Sequence, residues 1–155
     1  MRALLLAAGI GSRLRPITNT IPKCLVPVNG RPLIDYWLDY LESGDFERFL
    51  INTHHLPEKV REHISSSYLD NKIDLVHEDK LLGTGGTILS NRDYFRDEPF
   101  LVAHADNLTQ FSPAELFSAF RNRPRGCVMA LMAFRTDDPH SCGILELDDN
   151  TRQEI

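Results

Sequence analysis

The strongest constraint on this chain is the junction near its start, where the apolar run Ala3-Leu4-Leu5-Leu6-Ala7 passes without a break into Ala8-Gly9-Ile10-Gly11-Ser12-Arg13. A short run that is apolar at every position reads as a strand buried on both faces, the kind found inside a parallel sheet. Glycines directly after such a strand let successive backbone N–H groups approach an anion, which a Cβ would obstruct. Arg13, Arg15 and Lys23 follow with no carboxylate close in sequence. The pattern predicts a phosphate cradle at the carboxyl end of a strand, where open α/β sheets bind their ligands. Glycine spacing alone fits a plain strand-to-loop turn better than a cradle. The Gly-Lys-Ser/Thr ending of a P-loop is absent, and the third glycine of a dinucleotide fingerprint would fall at Leu14.

The rest of the chain alternates in the same style. Further β-rich runs lie at Phe49–Asn52, Ile73–His77, Phe100–Ala105, Val128–Phe134 and Ile144–Leu147. Helical spacing marks Leu33–Leu41, Pro57–Tyr68, Thr87–Phe95 and Pro113–Phe120. Ser112 before Pro113 and Glu115 reads as an N-cap with proline at the first helical position, and Ser43-Gly44 as a helix stop. Strands separated by crossover helices predict an α/β fold: three layers, a mostly parallel twisted sheet, and helices on both faces. With no linker or repeat in sight, residues 1–155 read as one domain.

Charge distribution narrows the ligand. Five of the 17 basic residues (Arg2, Arg13, Arg15, Lys23, Arg31) precede Asp35, the first of the 22 acidic ones. One end of the fold is therefore an anion attractor within a chain of net charge −5 and pI about 5.6. A nucleic-acid partner would call for a basic face and a high pI, so a small polyanion fits better. No apolar run approaches the roughly 18 residues of a membrane span. The opening "MRALLLAAG" is too short for a signal peptide and runs into a basic loop. These features predict a cytoplasmic chain with no membrane partner. Cys24, Cys127 and Cys142 are scattered and odd in number, which predicts reduced, partly buried thiols.

The longer string "LLLAAGIGSRLRPITNTIPKCLVPVNGRPLI" resembles the signature of the sugar-nucleotide pyrophosphorylases, nucleotidyltransferases that join a sugar 1-phosphate to a nucleoside triphosphate. "EDKLLGTGGTIL" resembles the family's second nucleotide loop, and "FLVAHADNL" its strand ending in a metal-binding aspartate. The Leu-Gly-Thr-Gly-Gly run is most similar to the mannose-1-phosphate guanylyltransferase branch. The resemblance implies a Rossmann-like nucleotidyltransferase fold and transfer of a nucleoside monophosphate, from GTP first, to a sugar 1-phosphate, mannose 1-phosphate first. Thymidylyl, uridylyl or cytidylyl transfer, or a module that senses nucleotide sugars without catalysis, stay open. Partners would be the triphosphate and the sugar phosphate, and a homo-oligomer is left open.

The same resemblance implies roles. Arg13 would hold the leaving pyrophosphate and Lys23 would be the catalytic lysine. Arg15 would be peripheral. Ala7, Ala8, Gly9, Gly11 and Ser12 in the first loop, with Glu78, Gly83 and Thr84 in the second, would bind the nucleotide, Glu78 by accepting the two adjacent N–H donors of guanine. Asp106 would hold the cofactor Mg2+, which favours one or two carboxylates plus phosphate oxygens. The residues themselves also allow an Asx turn at Asp106. His104 allows a His-x-Asp metal site or, more commonly, a partly buried hydrogen-bonded histidine. His54-His55 reads as a strand-end pair.

Toward the end, "SCGILELDDN" resembles the family's sugar-binding strand, with Gly143 contacting the hexose. The family's sugar-phosphate lysine and second metal aspartate would lie beyond Ile155. The sequence therefore reads as the N-terminal, nucleotide-binding portion of the catalytic domain, truncated before the sugar-binding remainder. Weak turnover by these residues alone is expected.

Overall fold

Arg2–Leu6 forms β1, buried at every position, and pairs in parallel with strands on both sides. In the computed structural model the described residues are 1–44, 46–141 and 143–145, in two compact units, Met1–Glu115 and Leu116–Ile155. After β1 come three single-turn 3-10 segments and a small hairpin of β2 (Pro27–Val28) and β3 (Arg31–Pro32). Its turn is Asn29-Gly30, with φ of 50° and 78°, the left-handed pair that a tight hairpin needs.

Helix α1 (Leu33–Glu42) buries Ile34, Trp37, Leu38 and Leu41, one stripe at helical spacing. It ends at Ser43-Gly44, as the sequence predicts, through bonds to the Asp39 and Leu41 carbonyls. Then follow β4 (Arg48–Thr53), α2 (Pro57–Ser65), β5 (Ile73–His77), α3 (Gly83–Ser90), α4 (Arg92–Phe95), β6 (Phe100–His104) and α5 (Pro113–Arg121). Ser112 caps α5 by accepting the Glu115 N–H at 3.3 Å. The single helix predicted over Thr87–Phe95 starts earlier and breaks at Asn91. There the side-chain amide donates to the Thr87 carbonyl and competes with the helix ladder.

The main sheet of the first unit is wholly parallel, ordered β5-β4-β1-β6. Leu4, Leu6 and Leu50 on one face pack with Phe95, Ile88 and Tyr94 of α3 and α4. Ala3, Leu5, Phe49 and Ile51 on the other face are fully buried. The right-handed rule for parallel crossovers, applied from β1 to β4 and from β4 to β5, assigns α1 and α2 to that second face. Each buried Leu, Ile or Phe side chain contributes about 1.5–3 kcal/mol of transfer free energy. The chain leaves β1 toward β4 and β5, then returns past it to β6. That reversal opens a crevice between the carboxyl ends of β1 and β6.

The second unit departs from expectation. Val128–Phe134 forms no strand, and Val128 and Phe134 are 85% and 78% exposed. An apolar run becomes a strand only where a neighbour completes its ladder, and no described residue pairs with this one. Arg123 organises the turn before it, donating to the Phe120 and Cys127 carbonyls at 2.6 Å each. Ile144 and Leu145 are exposed and outside any strand, while the remainder of that predicted run lies outside the described residues. Cys127 is exposed rather than partly buried, Cys24 is buried, and Cys142 lies outside the described residues.

Candidate functional site

The first loop turns at Gly11, whose φ of 68° lies in the left-handed region. A Cβ there would stand 2.8 Å from Thr18 Cγ2 and 3.1 Å from Lys23 Cβ, so both space and dihedral demand glycine. Thr18 is fully buried and donates its hydroxyl to the Gly11 carbonyl at 2.8 Å. The far side of the loop is held from α2 and the turn before it. His55 Nε2 donates to the Thr18 carbonyl, and Lys59 Nζ to the Thr20 carbonyl, both at 2.7 Å. His55 is thus more than half of a strand-end pair.

This bracing directs Lys23 across the crevice, where its Nζ lies 2.6 Å from Asp106 Oδ2. Asp106 follows β6, whose line continues through an Ala105 N–H bond to the Leu6 carbonyl at 3.0 Å. A Cβ on Gly9 would sit 3.6 Å from Asp106 Oδ2, so the glycine loop and the carboxylate face one another. Trp37 Nε1 donates to the neighbouring Asn107 carbonyl at 2.8 Å and steadies the turn. Both charged side chains stay within reach of solvent, at 20% and 27% exposure. Ser12, Arg13 and Arg15 are exposed on the outer rim of the loop. His104 is exposed, not partly buried.

The second loop begins α3 rather than preceding it. Gly83, with φ of 69°, opens the helix and is exposed together with Thr84 and Gly85, so the N-terminal N–H groups of α3 face outward. Gly86 packs tightly: a Cβ there would meet Leu82 Cβ at 2.9 Å.

Glu78 turns inward. It is 4% exposed; Oε1 accepts from Asn52 Nδ2 at 2.9 Å and from the Thr87 hydroxyl, and Oε2 accepts the Leu82 N–H at 3.1 Å. Burial pushes its pKa up, but the bonds from Asn52, Thr87 and Leu82, with His54 nearby, outweigh burial and hold it below the ordinary value. In this arrangement the carboxylate braces the loop rather than facing an incoming base.

The structure thus gathers Ala7, Ala8, Gly9, Gly11, Lys23 and Asp106 around one crevice, with Gly83 and Thr84 at a helix end on the same side of the sheet. Gly143 is exposed in the second unit. Sequence reasoning missed Asn52, Thr18, His55 and Trp37. The asparagine at the end of an otherwise apolar strand was the one visible signal.

Among the described residues no three His, Cys, Asp or Glu side chains converge as a metal cage. A partly exposed carboxylate facing a glycine loop is nonetheless a donor suited to Mg2+ shared with phosphate oxygens, so Asp106 fits that ion.

A parallel sheet with a glycine loop, a lysine and a carboxylate at the carboxyl ends of adjoining strands places the candidate site where open α/β proteins bind their ligands. The chain belongs to the nucleotidyl transferase family, whose model matches residues 2–155. It is 32% identical over 147 residues to a Sulfolobus acidocaldarius protein provisionally named a mannose-1-phosphate guanyltransferase, covering 94% of this chain and 40% of that one. It is 29% identical over 165 residues to a UTP–glucose-1-phosphate uridylyltransferase of Synechocystis, covering 97% and 42%. A solved UDP-glucose pyrophosphorylase in complex with UDP-glucose superposes with a TM-score of 0.66 at 26% identity, over 78% of this chain and 53% of that one. The chain spans less than half the length of these two curated relatives. No described helix is long and apolar enough to cross a membrane.

Proposed function

We propose that the chain carries the nucleotide half of a sugar-1-phosphate nucleotidyltransferase site, with GTP and mannose 1-phosphate as the first substrates to test and Mg2+ as the cofactor. The observation that carries the reading is the meeting of Lys23 and Asp106 beside the glycine loop. In the reaction a sugar-phosphate oxygen bonds to the α-phosphorus of the triphosphate while the bond to the bridging oxygen breaks, its electron pair leaving with pyrophosphate. Both reacting groups are anionic, so the protein's task is alignment and neutralisation rather than proton transfer.

The backbone N–H groups of residues 9–12 cradle the phosphates. Arg13, free on the rim, holds the departing pyrophosphate. Asp106 is the residue to hold Mg2+, which when bound supplies positive charge to the triphosphate oxygens. With Asp106 holding the ion, Lys23 would offer its ammonium to the α-phosphate and offset charge developing there.

The inward turn of Glu78 removes the specific argument for guanine, and the uridylyltransferase similarity favours UTP as the second candidate. A thermal-shift panel of GTP, UTP, dTTP, CTP and ATP, each with and without Mg2+, tests the reading. Ligand at about 100 times its dissociation constant adds roughly 2.7 kcal/mol to the folded state, a shift of several degrees. A selective Mg2+-dependent shift supports the proposal. No shift with any nucleotide refutes a working half-site in this chain.

A further inference from the structure

The two glycine loops are joined through Glu78 and a second side chain, Asn52, that none of the proposed roles uses. Asn52 is the penultimate residue of β4, which lies between the strands that feed them, and is 3% exposed. Its Oδ1 accepts the Ala7 N–H at 2.7 Å, where β1 becomes the first loop. Its Nδ2 donates to Glu78 Oε1 at 2.9 Å and reaches Thr87 Oγ1 at 3.3 Å. Glu78 in turn accepts the Leu82 N–H at the start of the second loop. An unbroken hydrogen-bonded path therefore runs from the backbone of one loop, through Asn52 and Glu78, to the backbone of the other.

The chemistry of the ends fixes the chemistry of the middle. An N–H on one side needs an acceptor and a carboxylate on the other needs a donor. A primary amide offers both in one short planar group. Aspartate at neutral pH offers no donor, and leucine offers neither. Because the path is buried, an unmade bond costs far more than a made one contributes, so the arrangement is close to all-or-none.

We propose that Asn52 is a positioning residue that locks the first and second glycine loops in register, so that loosening either end loosens the other. Its consequence for nucleotide affinity rests on the function proposed above; the coupling itself does not.

The test is residue-resolved amide exchange on the ligand-free full chain, comparing parent, Asn52→Asp, Asn52→Leu and Glu78→Gln at about pH 5.5 and about pH 7.5. In Asn52→Asp the Ala7 and Leu82 amides exchange about tenfold or more faster than in the parent at the higher pH. At the lower pH they return toward the parent rate, because the new carboxyl, its proton affinity raised by Glu78, regains a donor. In Asn52→Leu the loss is the same at both pH values. Where Asn52→Asp fails to fold, Glu78→Gln carries the test: it accelerates the Ala7 amide, which Glu78 does not touch.

Equal acceleration of Asn52→Asp at both pH values, or an Ala7 amide unmoved by Glu78→Gln, overturns the proposal. Parallel titrations with GTP and UTP in Mg2+ separate the two readings. A parent that binds neither nucleotide, with the exchange pattern intact, removes the nucleotide role and leaves the coupling standing. A parent that binds while Asn52→Asp binds equally well at both pH values overturns the positioning role.

Discussion

Lys23 and Asp106, 83 positions apart, meet with Nζ 2.6 Å from Oδ2 and so close the crevice between the first loop and the end of β6. A partly exposed pair of this kind adds about 1 kcal/mol or less to folding. On the proposed function, its greater significance is that each partner would hold the other's charge in place until a phosphate and a cation replaced them. Lys23→Met is therefore expected to fold, with nucleotide binding in Mg2+ within roughly threefold of the parent, since only transition-state charge is left uncompensated. In a chain extended to the length of its relatives, turnover falls by roughly 100-fold or more. Calorimetric titration and a pyrophosphate-release assay check the two parts. Loss of nucleotide binding with Lys23→Met would assign the lysine to ground-state binding instead.

Asp106→Asn removes the carboxylate that faces the glycine loop while keeping its shape. The nucleotide-induced rise in melting temperature should then be the same with Mg2+ as with a chelator, whereas the parent shows the larger rise with Mg2+. A rise that still depends on Mg2+ in the variant means that another group holds the ion.

Gly11 and Gly30 both have left-handed φ, 68° and 78°, but only Gly11 is crowded by side chains. Gly30→Ala costs about 1–2 kcal/mol for the dihedral alone. Gly11→Ala adds the collision with buried Thr18, about 1–3 kcal/mol more. Urea unfolding of the two variants measures the difference, and equal losses would show that the loop yields without cost.

Much of the fold was legible because it rests on local signals. The apolar runs of β1, β4, β5 and β6, the Ser112 cap and the Ser43-Gly44 stop each carry their physics within a few residues. The glycine loop and Lys23 were legible for the same reason. What escaped depends on partners far away in sequence. Val128–Phe134 has the composition of a strand, but composition cannot supply the neighbouring ladder. Glu78 looks like a free acceptor until Asn52, 26 positions earlier, and Thr87 are seen to occupy its oxygens. Asn52 stands out in the sequence only as a polar residue in an apolar run, since its role is defined by three other segments.

The Glu78 carboxyl gives the stability a defined acid limb. Its pKa in the folded chain is held below its ordinary 4.5, so its contribution is fully present above about that pH and disappears as pH falls through the folded value. Glu78→Gln lacks this term. Parent and variant should differ most near neutrality, by about 1.5–3 kcal/mol for bonds to a buried charge, and converge toward acid. Urea midpoints between pH 7 and pH 3 test this; curves that stay parallel throughout would show that Glu78 does not titrate with folding.

Cys24 and Cys127 differ in environment rather than chemistry. Burial, outweighing a lowering backbone hydrogen bond and reinforced by Asp106, pushes the Cys24 thiol up to about 12, whereas Cys127 is exposed. At about pH 8 a maleimide should label Cys127 within minutes and Cys24 only on unfolding, since the thiolate is the reactive form. Peptide mass spectrometry separates the two sites, and early labelling of Cys24 would mean that the first loop opens in the native state.

Trp37 offers a direct report on the crevice. It is the sole tryptophan, 3% exposed, and its indole N–H donates to the Asn107 carbonyl, one residue from Asp106. The Phe111 ring lies tilted against it at 5.8 Å and the Tyr40 ring meets it edge-on at 6.4 Å. If Asp106 held a cation in place of Lys23, as the proposed function has it, any adjustment of the turn carrying Asn107 would be felt by the indole's hydrogen bond. Titration with the nucleotide that raises the melting temperature should shift Trp37 emission saturably in Mg2+, and the shift should vanish in Asp106→Asn. An unchanged spectrum beside a clear calorimetric signal would mean that the Asp106–Asn107 turn is already in its bound form, with Lys23 alone moving on binding.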